Sequence, residues 1–494
     1  MDPWTPWPPE ANSSSLRWYT DKCFFKWIHE LHGRRRQTDL LVNKMMLKKT
    51  LFYSFAAALC YLLPSFHHSL LFTLPLYFYF LLRISENQSL KAAFYCGLLT
   101  GFIVSGVHLR FFTNIFSQAA ITLWLIIAVW TASFTVLSSY LRRKLSLKQF
   151  TFVAPLLYFL LEYTNCELYP LKFSWLSAGY LFHESSLKFL LPVTGIYGLS
   201  LILFWGVSFS TLSQYQFKIL TAISLLIFGA SIIKSTPTVG SNKGPLITGI
   251  QMEFPDEQVV FTELDKALKA HPETDLFMLS EYTFLEGIPD EAYQWCRNNN
   301  KYLLAGAKIY LEDQQEKTLF NNCAIVINPQ GKLEFSQTKS VPIQFFSDGL
   351  PAIEQKLWHS PWGKIGLCIC YDLSYTRVID NLVELGAEAL LVPTMDVIDW
   401  GLNQHQLHSR VAPIRAAEYG LPIFKVSSSG FSQSVNSRGL IIASAPYPGQ
   451  NEIISSRLNI KEQGSRPLDR WLFFPALIFF IFCLLSAFRK KLKS

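Results

Sequence analysis

Charged side chains are scarce in this sequence. Only 16% of its 494 residues are Asp, Glu, Lys or Arg, against about 25% in an average soluble protein. Half of the residues are hydrophobic and 40 are phenylalanine, so a single soluble globule would expose much apolar side chain. The apolar content also excludes a disordered chain, and 9 cysteines are too few for a disulfide-built scaffold. The composition indicates a membrane protein with a soluble portion.

Positive charge lies beside the apolar segments. The net charge is +8, which in other proteins can indicate nucleic-acid binding. Here the clustered cations flank hydrophobic runs: Arg34-Arg35-Arg36, Lys48-Lys49, Arg142-Arg143-Lys144 and Arg489-Lys490-Lys491. Because the positive-inside rule describes this distribution for cytoplasmic loops, we predict a membrane-embedded protein that binds no nucleic acid.

Eight apolar segments are candidates for spanning helices. They cover residues 51–64, 67–82, 92–112, 119–141, 150–166, 195–212, 217–233 and 471–488. The first two are shorter than the roughly 17–25 residues that a span needs, so 51–82 could also be one long helix. The preceding residues, 1–50, form a basic tail without the apolar core of a secretory signal.

Loop charges decide between a hairpin and a single helix at 51–82. With a hairpin, the loops on the side of the tail contain 20 Lys and Arg residues, and the opposite short loops contain 3. Both termini are then cytoplasmic, whereas a single helix would place the tail outside. We predict a cytoplasmic tail (1–50), seven spanning helices (51–233), a soluble domain on the far side of the membrane (240–465) and a last span (471–488).

The soluble region alternates short apolar runs with helical patterns, which predicts an α/β fold with buried sheets. Three titratable residues follow such runs. Glu281 ends the run 277–281, Lys339 follows a predicted hairpin (323–337), and Cys370 ends a predicted strand (364–370). Taken singly, such residues are ordinary: a surface acid, a solvated lysine and a cysteine packed in a core.

In this order the three residues resemble the Glu-Lys-Cys triad of the nitrilase superfamily. The block from Gly363 to Asp372 (GKIGLCICYD) resembles its nucleophile strand, and residues 321–331 with Lys339 resemble its lysine hairpin. With seven spans before the domain and one after it, the chain resembles the apolipoprotein N-acyltransferase family. Residues 173–180 (FSWLSAGY) also resemble a loop of that family. The resemblance implies a polytopic α-helical membrane domain of about eight transmembrane helices plus an α/β nitrilase-like domain, an α-β-β-α sandwich. It also implies that the protein lies in the bacterial inner membrane and that the sandwich is on the periplasmic side.

The resemblance also implies a mechanism. Cys370 is the nucleophile, Glu281 the general base, and Lys339 stabilises the oxyanion with the backbone N–H of Tyr371. The acyl donor is a membrane phospholipid, and the acceptor is the N-terminal amine of a diacylated lipoprotein. Transfer through a Cys370 thioester is ping-pong. We predict no cofactor, no metal and a monomeric enzyme.

Two acidic positions depart from the family pattern. The family has Glu after Cys-Tyr, where this chain has Asp372, which is one methylene shorter. It also has a second glutamate after the lysine. Alignment on Pro351 puts Asp348 there, whereas alignment on Pro342 puts Phe345 there. We take Asp348 as the supporting acid.

Several alternatives remain open at this stage. The same triad would serve a membrane-anchored C–N hydrolase, and the altered acids would fit a degenerate binding protein. Glu162 ends an apolar run and is either functional or interfacial. Trp175 either gates lipid entry or lies in the aromatic belt. His405 and His408 share a predicted helix (405–419) without a third ligand at metal-binding spacing.

Overall fold

A computed structural model describes residues 46–87, 89–233, 244–311, 319–449, 451–460 and 463–492. Most of the predicted basic tail therefore lies outside the described residues, and only 46–50 belong to the first helix. The helices of the N-terminal part are α1 (Met46–Phe66), α2 (Leu74–Ser85), α3 (Leu90–His108), α4 (Phe112–Phe116), α5 (Ala119–Lys144), α6 (Leu147–Tyr163), α7 (Leu191–Ser210) and α8 (Gln216–Ile232).

The first two apolar segments form an antiparallel pair. Helix α1 ends at Phe66, a 3-10 turn follows at His68–Thr73, and α2 then runs back along α1. The Tyr61 and Tyr77 rings lie 4.8 Å apart, and the Thr73 hydroxyl donates to the Cys60 carbonyl at 2.7 Å. Residues 51–82 are thus two helices rather than one.

Five helices among the described residues are long and apolar enough to cross a membrane. They are α1, α3, α5, α7 with its preceding turn (Ser186–Ser210), and the start of α14 (Asp469–Leu492). The other predicted spans correspond to shorter helices, of 12 residues in α2 and 17 residues in each of α6 and α8. A total of eight spanning helices therefore stays a prediction.

The soluble part contains twelve described strands in two six-stranded sheets. Sheet A has the order β12 (Ile453–Arg457), β1 (Leu246–Ile250), β2 (Leu276–Leu279), β3 (Tyr302–Tyr310), β4 (Phe320–Ile327), β5 (Leu333–Thr338). Sheet B has the order β11 (Ile441–Ala445), β10 (Ser432–Val435), β9 (Ile423–Ser427), β8 (Ala389–Thr394), β7 (Gly363–Leu367), β6 (Leu357–Ser360). In both sheets the central strands are parallel and the edge strands antiparallel.

The two sheets pack face to face between two helical layers. Apolar side chains of both sheets, such as Met278 and Leu367, form one buried cluster. Helices α9 (Glu257–Ala270) and α10 (Asp290–Asn299) cover sheet A, and α11 (Thr376–Glu384) and α13 (Val411–Tyr419) cover sheet B. The predicted α-β-β-α sandwich is confirmed. The core beneath α11 and α13 continues into the membrane helices, so this face rests on the membrane domain.

Two predicted elements differ from the structure. Strand β7 ends at Leu367, because the chain turns at Cys370 into a 3-10 helix (Cys370–Ser374). The predicted helix 405–419 is divided into α12 (Leu402–Ser409) and α13, which meet at Arg410. Pro413 in the first turn of α13 has no N–H to donate to the preceding helix, which explains the division.

Helices α3 and α5 approach closely where α3 has glycine. A Cβ on Gly101 would lie 2.8 Å from the Ala128 Cα, whereas one on Gly106 would lie no closer than 3.7 Å, from the Trp124 ring. Alanine raises helix propensity over glycine by about 1 kcal/mol at either position, so only packing distinguishes the two. We expect Gly101→Ala to destabilise the protein by about 1–3 kcal/mol, measured as a lower melting temperature in detergent.

The matched control is Gly106→Ala on the same helix, which should leave the melting temperature unchanged or raise it. Equal effects of the two substitutions would contradict the close approach of α3 and α5.

Candidate functional site

Three of the predicted site residues meet in one buried ionic group. The Lys339 ammonium lies 2.8 Å from Glu281 Oε1 and 2.8 Å from Asp348 Oδ2. Glu281 follows β2, Lys339 follows β5, and Asp348 comes from the loop after Lys339. Each is at most 4% exposed, so the ion pairs lie away from solvent.

Neutral groups complete the coordination of the carboxylates. The Asn322 amide donates to Glu281 Oε1 at 2.7 Å and to Asp348 Oδ1 at 3.1 Å. The Met395 N–H donates to Glu281 Oε2 at 2.7 Å, and the Tyr282 hydroxyl donates to Asp348 Oδ1 at 2.6 Å. The carboxylates are thereby held in fixed orientations.

Burial and pairing set the protonation of this group. Burial lowers the pKa of Lys339, but Glu281 and Asp348 outweigh this effect and raise it well above its usual value. Burial raises the pKa of Glu281 and Asp348 adds to the rise, whereas Lys339 opposes it. The site thus combines a permanent cation with a carboxylate whose proton affinity is increased, as a general base requires.

Cys370 lies at the start of the 3-10 turn with a left-handed backbone (φ 49°), which is uncommon for a non-glycine residue. Its thiol lies 3.5 Å from the Met395 carbonyl, so Cys370 and Glu281 contact the same residue. Burial, and then the charge of Glu281, raises the pKa of the Cys370 thiol well above its usual value. The resting group is therefore a thiol that needs a base to become a nucleophile.

Asp372 fixes the 3-10 turn Cys370–Ser374, here called the nucleophile turn after the predicted role of Cys370, to residues 340–351, here called the lysine loop. Its carboxylate accepts hydrogen bonds from the backbone N–H groups of Ser340, Val341 and Ile369, at 2.6–3.1 Å. Burial raises the pKa of Asp372 to about 6 despite these bonds. Although shorter than the family's glutamate, this side chain reaches both segments.

The membrane domain holds the other end of the turn. The Trp175 indole N–H donates to Ser374 Oγ at 2.8 Å, and the Ser174 hydroxyl donates to the Ser374 carbonyl at 3.0 Å. Arg415 in α13 donates to the same carbonyl at 2.6 Å. We call residues 174–180 the strap, because they fasten the nucleophile turn to the membrane helices.

An apolar cavity of about 110 Å³ lies between the membrane domain and the catalytic domain, next to the nucleophile turn. The membrane domain contributes aromatic and aliphatic side chains in equal number, and the catalytic domain contributes residues 343–346, Tyr371, Trp400 and Gln404. Its lining includes Phe111, Phe112, Phe116, Trp175, Ile343, Phe345, Tyr371 and Trp400.

The other residues that the sequence indicated, from Phe345 to Trp175, also have defined contacts in the structure. Phe345, the alternative to Asp348, is 68% exposed at the cavity, whereas Asp348 binds Lys339. Glu162 is buried and accepts hydrogen bonds from the Ser177 hydroxyl and the Ala178 N–H, which secures the strap. His408 binds Asp396 at 2.7 Å and stacks on Trp175. Trp175 itself is buried at the site rather than exposed in a belt.

Sequence reasoning missed the roles of Asn322 and Met395. Asn322 is fully buried in strand β4, where all residues after it are apolar, and a buried polar residue beside such a run is the pattern that could have identified it. Met395 contacts Glu281 and Cys370 through its backbone N–H and carbonyl. Because almost every residue has these groups, the amino-acid sequence gives no sign of such a role.

Comparison with known proteins matches both parts of the chain. The Apolipoprotein N-acyltransferase N-terminal domain matches residues 53–209, and the Carbon-nitrogen hydrolase family matches residues 290–462. The apolipoprotein N-acyltransferase of Photobacterium profundum is 22% identical over 74% of this chain and 81% of that protein. That of Bdellovibrio bacteriovorus is 25% identical over 78% of this chain and 82% of that protein.

Over most of its length the chain is similar to apolipoprotein N-acyltransferases, and one family model matches each of its two parts. It is therefore a membrane enzyme of the acyltransferase class. Lys339 and Cys370 lie within the matched hydrolase segment, whereas Glu281 precedes it. Glu281 meets Lys339 in an ion pair and shares Met395 as a hydrogen-bond partner with Cys370. A solved carbon-nitrogen hydrolase from Helicobacter pylori G27 is 19% identical, with a TM-score of 0.37 over 43% of this chain and 88% of that protein.

The strap generates a prediction about Trp175. Trp175→Phe keeps an aromatic ring in the cavity wall but removes the N–H donor to Ser374, leaving a buried hydroxyl unpaired. A lost buried hydrogen bond costs about 1–3 kcal/mol, so we expect the turnover number to fall about tenfold. The acyltransfer rate at saturating donor measures this loss.

The control is Trp205→Phe, which removes a similar indole bond, to the Phe152 carbonyl, far from the nucleophile turn. In a double-mutant cycle with Ser374→Ala, the losses should not add. Additive losses, or a full rate in Trp175→Phe, would contradict a positioning role.

Proposed function

We propose that this enzyme transfers an acyl chain from a membrane phospholipid to the N-terminal amine of the diacylglyceryl-cysteine of lipoproteins. Cys370 is the nucleophile, Glu281 the general base and Lys339 the oxyanion stabiliser. Asp348, Asp372 and Tyr371 support them. The observation that carries the proposal is the apolar cavity, because it lies between the membrane domain and the nucleophile turn and is lined by Tyr371.

An apolar entrance favours a lipid substrate over a small soluble amide. Most side chains at this junction are aromatic or aliphatic on both sides, with Lys172, Gln344 and Gln404 as the polar exceptions, so an acyl chain can enter from the bilayer through a mainly apolar environment. The ester carbonyl of the donor can then approach Cys370, which directly precedes Tyr371. A hydrolase that acts on small soluble amides would not require an apolar cavity beside the membrane domain.

In the first half-reaction Glu281 removes the proton of the Cys370 thiol. The thiolate attacks the ester carbonyl carbon of the donor, and the Lys339 ammonium with the Tyr371 N–H stabilises the oxyanion. The intermediate collapses to a Cys370 thioester. Glu281 returns its proton to the departing oxygen, which releases a lysophospholipid.

In the second half-reaction the neutral amine of the lipoprotein attacks the thioester carbonyl. Glu281 takes the amine proton, the C–S bond breaks, and the proton passes to the departing Cys370 sulfur. An amide forms and the resting thiol returns. Because the first product leaves before the acceptor binds, the kinetics are ping-pong.

The thioester provides the test. Full-length protein incubated with acyl-labelled phospholipid should carry a hydroxylamine-labile label, and Cys370→Ala should carry none. The matched control is Cys368→Ala, two residues away in the same segment, which should keep the label. An unlabelled wild-type protein would reject both the transferase and the hydrolase.

The acceptor distinguishes the transferase from the hydrolase. Addition of a diacylated lipopeptide should move the label to its N-terminal amine, with a rate that depends on lipopeptide concentration. Release of the label only as free fatty acid would instead support hydrolysis.

We also propose that the catalytic domain is periplasmic and both termini are cytoplasmic, as the loop charges indicate. Asn298 in α10 and Lys148 in α6 are both exposed and lie on opposite sides in this topology. Asn298→Cys should react with a membrane-impermeant maleimide in intact spheroplasts, and Lys148→Cys should react only after lysis. The reverse pattern would refute the topology.

A further inference from the structure

A second cationic site lies on the membrane domain, apart from the candidate catalytic cavity. Lys188 lies in the 3-10 turn Ser186–Leu190 that precedes α7, and only 6% of it is exposed. Its ammonium donates to the His183 carbonyl at 3.0 Å and to the Gly439 carbonyl at 2.7 Å. These neutral acceptors use two of its three N–H bonds.

The charge of Lys188 has no direct counter-ion in the described part of the chain. No described carboxylate lies within ion-pair distance of its ammonium, and Glu184, the nearby acid, pairs with His68 at 2.7 Å and with His183 at 3.5 Å. A buried cation without a partner is costly. An anion bound beside Lys188 would remove this cost.

There is room for such an anion. A cavity of about 420 Å³ adjoins Lys188 and is also lined by Arg438 and Ser437, from the turn between β10 and β11. Arg438 is exposed, and within the described residues its guanidinium makes no hydrogen bond or ion pair. No carboxylate of the described residues lines this cavity. The cavity is thus lined by an ammonium with one remaining N–H, a guanidinium and a hydroxyl group, a combination suited to phosphate oxygens.

The position of the cavity indicates the source of the phosphate. Lys188 is in the first turn of the apolar helical segment Ser186–Ser210, at the end that contacts the catalytic domain. Phe189, which lines the cavity, and Val193, one turn further along, are 68% and 59% exposed and form an outward apolar face. Phosphates of bilayer lipids lie at this depth, and acyl chains would follow the exposed face of the helix.

We propose that this cavity binds the phosphate of an anionic phospholipid, with Lys188, Arg438 and Ser437 as ligands. The site shares no lining residue with the apolar cavity next to Cys370, so it is separate from the acyl-donor site. Because Lys188 also binds Gly439, the lipid would fasten the β10–β11 turn of the catalytic domain to the bilayer surface.

The test uses the full-length protein in a neutral detergent, titrated with phosphatidylglycerol and followed by native mass spectrometry and thermal unfolding. Wild-type protein should bind the lipid and melt at a higher temperature with it. Arg438→Gln should weaken binding about fivefold, since one interfacial cation contributes about 1 kcal/mol. Arg297→Gln changes another exposed arginine, on α10; it is the matched control and should bind as wild type does.

Further arms separate the possible outcomes. Lys188→Met should weaken binding more than Arg438→Gln does. If Lys188→Met is unstable, Ser437→Ala serves as the second variant, and it should also weaken binding. Cys370→Ala should bind phosphatidylglycerol normally, so this site can be judged even if the proposed acyl transfer fails. Equal stabilisation by inorganic phosphate alone would overturn the assignment to a lipid. Unchanged phosphatidylglycerol affinity in Arg438→Gln and Ser437→Ala would overturn the site.

Discussion

The buried ammonium of Lys339 is the constraint on which the site depends. A cation without access to water is costly unless carboxylates and further hydrogen bonds surround it. Glu281 and Asp348 provide the charges, and Asn322 bonds to both carboxylates. The buried ion pairs therefore require three segments to meet, namely the end of β2, the β4–β5 hairpin and the loop after it. Burial, and then the charge of Glu281, raises the pKa of the Cys370 thiol, so a base is necessary to form the thiolate.

The nucleophile turn is held from two directions. On the catalytic side, Asp372 binds the backbone of the lysine loop, so the nucleophile and the cation cannot move independently. On the membrane side, Trp175 in the strap and Arg415 bind Ser374, four residues after the cysteine. The strap is itself secured by Glu162 at the end of α6. The membrane domain therefore contributes to the geometry of the turn that carries Cys370.

Sequence patterns predicted the order of strands and helices and an α/β fold, because apolar periodicity and strand ends are local properties. The sandwich, and the grouping of Glu281, Lys339 and Cys370 into one site, came from the family resemblance. The acid of the lysine loop was ambiguous because residues 340–351 have no periodicity, and only the Lys339 contact distinguishes Asp348 from Phe345. Cys370 was assigned to a strand because Cys368 and Ile369 are apolar, yet the backbone turns there. The bond between Trp175 and Ser374 joins residues 199 positions apart, beyond any local pattern.

One short loop links the apolar cavity to the charged group. Ile343 and Phe345 line the cavity, while the Ile343 N–H donates to Asp348 Oδ2 at 2.6 Å, the oxygen that also binds Lys339. Phe345 and Phe346 contact Phe116 of α4, so the same loop bridges the two domains. A shift of this loop that broke the Ile343 bond would leave Asp348 less firmly placed against Lys339. The wall of the apolar cavity and the buried Lys339 cation are thus parts of one continuous structure.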